Sequence, residues 1–279
     1  MSVITPLETD GYIHFDEDAC AAAGAALADR YRAAEPFPHI VMDDFLPPDF
    51  LRGMLDGFPA NAGMSYFDRS QERLKFQFPP AAIPGRRLRN FVTELNSVAI
   101  VRFLEQLTGI SRLIPDPYYR GGGLHETLRG GHLGIHADFN LHHELGCERR
   151  LNLLIYLNDD WSPAYKGDLE LWDREMKACR QTVAPLIGRA VVFNTTLGSF
   201  HGHPDPLACP PERSRRSVAT YYYTAPAGGM LTLPDRTTVF RPRPATPDRP
   251  DRRVQLDHVL KDWLPPRLYR FATRFNRFS

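Results

Sequence analysis

Helix-like segments dominate the readable part of the first hundred or so residues, and from Leu113 the texture changes to that of strands. Residues 17–34 (EDACAAAGAALADRYRAA) are alanine-rich and predict a helix. A short strand is expected over His39–Met42. Pro47-Pro48 opens a helix over Asp49–Phe58, since proline is tolerated in a first turn. Residues 60–86 carry no readable period. Asn90–Leu107 sets Phe91, Leu95, Val98, Phe103 and Leu107 mostly at helical spacing, with Gly109 just past its end. Strand-like segments follow at 133–138, 150–157, 167–172, 181–184, 189–194 and 216–224, separated by Gly, Pro and Asn-Asp turns. Short strands after a helical opening predict an α+β chain, a sandwich or jelly-roll barrel buttressed by the N-terminal helices.

Three portions are expected: an N-terminal helical and strand portion (1–112), a β core (113–228) and a C-terminal extension (229–279) reached through the Pro/Arg-rich stretch 241–250. In the extension Leu268, Phe271, Phe275 and Phe278 recur at helical spacing, and Arg267, Arg270, Arg274 and Arg277 repeat it one residue earlier. Such a basic amphipathic helix over 263–279 either touches an anionic membrane surface or acidic partner, or docks on the barrel with its arginines in water.

Composition narrows the class. With 43% hydrophobic and 24% charged residues over 279 positions, the chain reads as a soluble globular protein. No apolar run approaches the roughly 20 residues of a membrane span, and MSVITPLETDGY lacks the basic and apolar regions of a signal peptide. Cys20, Cys147, Cys179 and Cys209 form no CxxC pair, which fits a reducing compartment and a cytoplasmic location. Residues 241–279 hold ten Arg or Lys against four Asp or Glu, so the net +1 divides into +6 for the tail and −5 for the rest. The body is therefore not a nucleic-acid surface.

The chemistry centres on His136-Ala137-Asp138 and the distant His201. Strand alternation puts residues i and i+2 on one face, so His136 and Asp138 can grip one metal together. Two imidazoles and a carboxylate on one triangular face suit a mononuclear iron(II) centre with positions left open for reaction. His203 and His132 are alternative donors on nearby faces, and His125 stands near the same region. His142, His143 and Glu144 read as a polar loop, and Gly121-Gly122-Gly123 as a turn without the lysine of a phosphate loop.

The ordered motifs RRLNLLIYLNDDW, KGDLELWD, GRAVVFNT, SFHGH and RRSVATYYYT resemble the catalytic core of the prolyl 4-hydroxylase-like iron(II)/2-oxoglutarate dioxygenases, from about Leu113 to Pro226. The upstream phrases PFPHIVMDDFLPPDF and PYYRGGGLHE look like those of bacterial members. The resemblance implies a double-stranded β-helix (jelly-roll) core, with His136, Asp138 and His201 as iron ligands and iron(II), 2-oxoglutarate and O2 as cofactors, ascorbate being a candidate reductant. It implies that Arg216, six positions before Tyr222, receives the far carboxylate of 2-oxoglutarate, with Tyr156 on the same carboxylate and Leu169 lining the co-substrate. Arg215 would point to the other face of a regular strand, and a one-residue bulge would exchange the two. Asn152 shares the Tyr156 face and is placed with the co-substrate residues; Asn140 and Asn194 are further candidate donors near the metal.

One departure concerns Leu133, which stands where protein-acting prolyl hydroxylases often carry a tyrosine. The carboxylate of Asp138 argues for hydroxylation, since a small residue there would suggest a halogenase. The implied reaction couples decarboxylation of 2-oxoglutarate to succinate and CO2 with hydroxylation of a prolyl, amino-acid-like or natural-product carbon in a small molecule or peptide, with no nucleic acid involved. The rival readings are a non-catalytic jelly-roll binding module and a zinc hydrolase on the same histidines. The first would be favoured by loss of a ligand, and the second has no need of Arg216 or Tyr156.

Overall fold

The computed structural model describes residues 2–60, 65–229, 235–249 and Leu256, so the expected amphipathic helix over 263–279 lies outside the described residues. β1 (Pro6–Thr9) and β2 (Tyr12–Phe15) form a separate hairpin. Then come α1 (Glu17–Arg32), β3 (His39–Met42), α2 (Pro48–Arg52), β4 (Ser65–Phe67), β5 (Glu72–Phe78), α3 (Arg86–Glu94) and α4 (Val98–Thr108). The β-rich part holds β6 (Ile114–Pro115), β7 (Gly123–Ala137), β8 (Leu141–His142), β9 (Cys147–Tyr156) and β10 (Leu169–Trp172). It continues with β11 (Cys179–Val183), β12 (Ala190–Asn194), β13 (Phe200–His203), β14 (Arg215–Thr224) and β15 (Val239–Phe240).

The main sheet runs β11-β10-β13-β7-β14-β9-β12-β3, every pairing antiparallel. It curls into the nearly closed barrel of a jelly roll. The long strand β7 belongs to both walls. Its first part pairs with β14, from Gly123↔Ala219 to Thr127↔Arg215, and its second with β13, where His136 faces His201. Strands from the N-terminal portion join the same sheet, β3 beside β12 and β5 along β7.

Both faces of the larger wall are covered, so its strands read as apolar runs instead of clean alternation. On β9, Leu151, Leu153 and Ile155 pack under the helices with Phe91, Phe103 and Leu104, while Asn152, Leu154 and Tyr156 face the barrel interior. Tyr222 of β14 likewise faces the helices, its hydroxyl donating to the Leu95 carbonyl at 2.6 Å.

The helices differ from expectation in two places. The segment read as one helix over Asn90–Leu107 is two, α3 and α4, broken at Asn96-Ser97, where the Asn96 amide donates to the Asp116 carbonyl at 2.8 Å. The apolar period survives the break because both helices bury Phe91, Leu95 and Phe103 in one core. The helix expected over Asp49–Phe58 stops at Arg52 and resumes as a single turn at Leu55–Gly57. In α1, Asp16 accepts the Ala19 N–H at 2.7 Å, capping its first turn. All four cysteines are free.

The helical layer rests on one close approach. Gly24 of α1 lies against α4 so tightly that an added Cβ would sit 2.2 Å from the Phe103 carbonyl oxygen. Gly24→Ala must therefore push the helices apart. We expect a loss of roughly 1–3 kcal/mol, seen as a lower denaturant midpoint at unchanged slope; an unaltered midpoint would contradict this packing.

Candidate metal centre

The register of β7 with β13 brings the three donors together. His136 and His201 are paired residues on adjacent strands, and their ring centroids are 4.5 Å apart. Asp138 follows β7 by one residue. Its Oδ1 lies 3.5 Å from His136 Nε2, and its Oδ2 3.5 Å from His201 Nε2. Ligand atoms of the three lie within 4.8 Å of one another, and no other such group occurs among the described residues. Gly202 makes this strand pairing possible, because a Cβ there would fall 2.6 Å from the Gly134 carbonyl oxygen. His203, two residues beyond His201 on β13, shares its face and turns inward as well.

Both imidazoles present Nε2 to the same space. Nδ1–H of His136 donates to the Gly134 carbonyl at 2.9 Å, and Nδ1–H of His201 to the Ser199 carbonyl at 3.0 Å. Each bond fixes the tautomer and leaves the Nε2 lone pair free, as a metal ligand requires. Burial and the neighbouring His136 push His201 down to about 4, so it is neutral and competent to bind at neutral pH.

Asp138 is held ionised by a partner that the sequence reading did not single out. Burial alone would raise its pKa, but the Arg149 guanidinium and the two imidazoles hold the carboxyl well below the usual range. Arg149 Nη2 is 3.1 Å from Asp138 Oδ2, and Asn152 Nδ2 donates to the same oxygen at 2.7 Å. Arg149 Nε and Nη2 both donate to Asn152 Oδ1, at 3.0 and 2.7 Å. Its planar cation lies over the Tyr221 ring at 3.6 Å and the Phe139 ring at 4.5 Å. Asn152, expected beside the co-substrate, is thus engaged with the Asp138 carboxylate. The signal for Arg149 was a charge in the strand run RRLNLLIY, whose apolar neighbours leave little room for solvated residues.

The three donors line a cavity of about 480 Å³, within the usual range for small-molecule sites. Leu169, Arg215, His203, His125, Thr127 and Ser217 line it too, whereas Tyr156 packs behind the wall with Leu169, Val191 and Phe193. Arg216 does not line it. Arg215 is buried, and its Nε donates to the Gly167 carbonyl at 2.7 Å while its guanidinium lies over the Tyr156 ring at 5.0 Å. The Tyr156 hydroxyl is buried without a hydrogen-bond partner.

Arg216 points to the outer side, where its Nε donates to Glu126 at 3.0 Å and its guanidinium covers the Phe58 ring at 4.3 Å. This corrects the expectation that Arg216 serves the cavity. No bulge separates positions 215 and 221, so Arg215 shares the inward face of Tyr221, which it precedes by six. Counting six from Tyr222 selected the face under the helices.

Other candidates fall elsewhere. His132 meets the Ser70 carbonyl at 3.2 Å and is half-exposed. His142 is buried against Asp116 at 3.2 Å. Asn194 accepts the Tyr31 hydroxyl at 2.7 Å, and Asn140 accepts the Arg236 N–H at 2.8 Å. Leu133 lines the cavity beside His203. No helix among the described residues is long and apolar enough to cross a membrane.

Residues 122–224 match the family model of the 2OG-Fe(II) oxygenase superfamily. No curated protein matches the chain. Among solved structures, a Trichoplax adhaerens prolyl hydroxylase in complex with a hypoxia inducible factor peptide fragment is 14% identical with a TM-score of 0.54, covering 78% of this chain and 96% of that one. A Pseudomonas putida prolyl-4-hydroxylase is 17% identical with a TM-score of 0.49, covering 72% and 98%. HygX from Streptomyces hygroscopicus, with nickel, 2-oxoglutarate and hygromycin B bound, is 15% identical with a TM-score of 0.44, covering 67% and 82%. Likeness to the Trichoplax structure is likeness of fold.

The Arg149 contact gives a direct test. Arg149→Met keeps the bulk and removes the charge that holds Asp138 ionised. Iron(II) affinity measured anaerobically should fall about 10- to 100-fold while the fold is retained; affinity equal to wild type would show that Asp138 needs no such support.

Proposed function

We propose that this chain is an iron(II)- and 2-oxoglutarate-dependent dioxygenase of the 2OG-Fe(II) oxygenase superfamily, whose model its residues 122–224 match, and that it hydroxylates an unactivated carbon of a small-molecule or peptide substrate. The observation that carries the reading is the convergence of His136, Asp138 and His201 on one point of a cavity whose wall also holds the buried Arg215, which packs over the ring of Tyr156 just behind it. His136 and His201 would bind iron through Nε2 and Asp138 through Oδ1. Asp138 Oδ2, already engaged by Arg149 and Asn152, keeps the carboxylate from turning. Bound iron(II) supplies open coordination positions and the redox chemistry of dioxygen, with 2-oxoglutarate as the two-electron donor.

The chain's own groups do the positioning. Arg215 is a permanent cation in a buried setting, which suits the distal carboxylate of 2-oxoglutarate. The Tyr156 hydroxyl, otherwise orphaned at a cost of about 1–3 kcal/mol, would donate to the same carboxylate. Leu169 and Leu154 exclude water from the stretch between. Space on the side of Phe67, Thr238 and Phe240 is left for the carbon to be oxidised. The Trichoplax structure of similar fold holds a peptide fragment, and here the class stays at small molecule or peptide.

Anaerobic titration with iron(II) and 2-oxoglutarate tests the reading through the visible charge-transfer band of the chelate. Wild type should develop the band. Arg215→Met should need at least about 10-fold more 2-oxoglutarate, the loss of a charge-assisted pair worth about 1.5–3 kcal/mol. Arg216→Met should titrate like wild type. An unmoved Arg215→Met curve with a shifted Arg216→Met curve would restore the outward arginine as the anchor. Absence of a band in iron-loaded wild type would end the dioxygenase reading of this site.

A further inference from the structure

The matched family segment ends at residue 224, yet the chain returns to the metal centre beyond it. β15 pairs with the end of β7 so that Phe240 faces His136 and Val239 faces Ala137, and the Arg241 N–H donates to the Ile135 carbonyl at 2.8 Å. The Phe240 ring lies 5.3 Å from the His136 imidazole, tilted by 38°. It also packs on Gly134, where a Cβ would meet Phe240 at 3.4 Å, and the Gly134 carbonyl is what orients His136 Nδ1. One aromatic ring thus borders both the ligand and the group that aims it, and it lines the cavity.

The segment carrying Phe240 is tied at both ends. At Arg236, the backbone N–H donates to Asn140 Oδ1 at 2.8 Å, in the turn that follows Asp138. At Arg243, which is largely buried, Nη1 reaches Asp205 at 3.0 Å and Glu170 at 3.7 Å, and Nε donates to Asp248 at 2.9 Å. Asp205 lies two residues past β13, which carries His201, and Glu170 sits on β10, paired with β13. The two ties therefore end beside two of the three donors.

We infer that Phe240 is a positioning residue for His136, carried on a strap over residues 235–248 that Arg243 clasps to the barrel. The inference rests on the reading of His136 as an iron ligand. Its physical content is restriction of the imidazole. A ring packed beside His136 and over Gly134 limits rotation about the side-chain bonds and preserves the Nδ1–H bond that keeps Nε2 aimed at the metal. Loss of such an outer contact raises the freedom of the unbound ligand, and the bound metal leaves faster.

The test follows release of iron(II) from the loaded full-length protein into excess chelator under anaerobic conditions. The variants are Phe240→Ala, Phe240→Tyr, Arg243→Gln and His136→Ala, each with a melting curve of the metal-free protein. Phe240→Ala should release iron about 10-fold faster than wild type, with the metal-free melting curve unchanged. Arg243→Gln should move in the same direction, and Phe240→Tyr, which keeps the ring, should stay near wild type. Release from Phe240→Ala at the wild-type rate overturns the inference. So does faster release accompanied by an equal fall in metal-free stability, since Phe240 would then be a general prop. If Arg243→Gln does not fold, the Ala and Tyr pair still decides. His136→Ala separates the two levels: retention of iron as in wild type would refute the ligand assignment itself.

Discussion

A carboxylate kept ionised out of water is the constraint on which the centre depends. Asp138 is required as an anion by the chemistry of metal binding, and its burial opposes that state. Arg149 resolves the conflict and creates a second one, because its own guanidinium is buried. The answer to the second is spread over the barrel: Asn152 from β9, Tyr221 from β14 and Phe139 from the turn after β7. Removing one member of such a set leaves an uncompensated charge in the interior, which costs more than the pair contributes. The set therefore couples the register of three segments to the protonation state of one oxygen.

The same economy of faces explains the histidines. A strand pairing that sets His136 opposite His201 leaves no room for a side chain at the crossing, and glycine at 202 meets that limit. The two Nδ1 atoms are then taken up by carbonyls two residues upstream, Gly134 and Ser199, in the same geometry on both strands. Tautomer, ring orientation and free lone pair all follow from backbone that the sheet already fixes. The metal-binding atoms are thereby arranged before any metal arrives, as low reorganisation demands.

How much of this was legible depends on the range over which each signal acts. The helix α1 and the strands β3, β9, β12 and β14 are local patterns, and they stand close to where the periodicity of the sequence placed them, whereas the strand expected over 133–138 is the longer β7, which ends one residue short of Asp138. The barrel strand β5 was unreadable because its inward residues, Lys75 and Gln77, are polar and line the cavity, so alternation carries no hydrophobic contrast. The α3–α4 break was hidden because both helices bury the same face. The choice between Arg215 and Arg216 turned on which of two neighbouring tyrosines points inward. That depends on where the helical layer sits, a fact of tertiary packing with no trace in the count of residues between them. Arg149 was visible only as a charge in an apolar strand, and its meaning lies in an oxygen eleven positions earlier.

The division of labour along the chain follows from one exposed edge. β7 bears His136 near its end and leads directly into Asp138, and its far edge would be open were it not for flanking segments. β5 covers that edge from Leu124 to Leu133, the Gln71 carbonyl takes the Gly134 N–H, and β15 continues at His136 and Ala137. One cover comes from before the matched core and the other from after it, and they meet at Gly134, beside the ligand. An unpaired edge next to a buried metal centre would admit water and other strands. Whatever covers it must also form the cavity rim, because His136 and Asp138 stand at the end of that strand. The core therefore holds the three donors while the flanks supply Phe67, Glu72, Thr238 and Phe240 to the cavity wall.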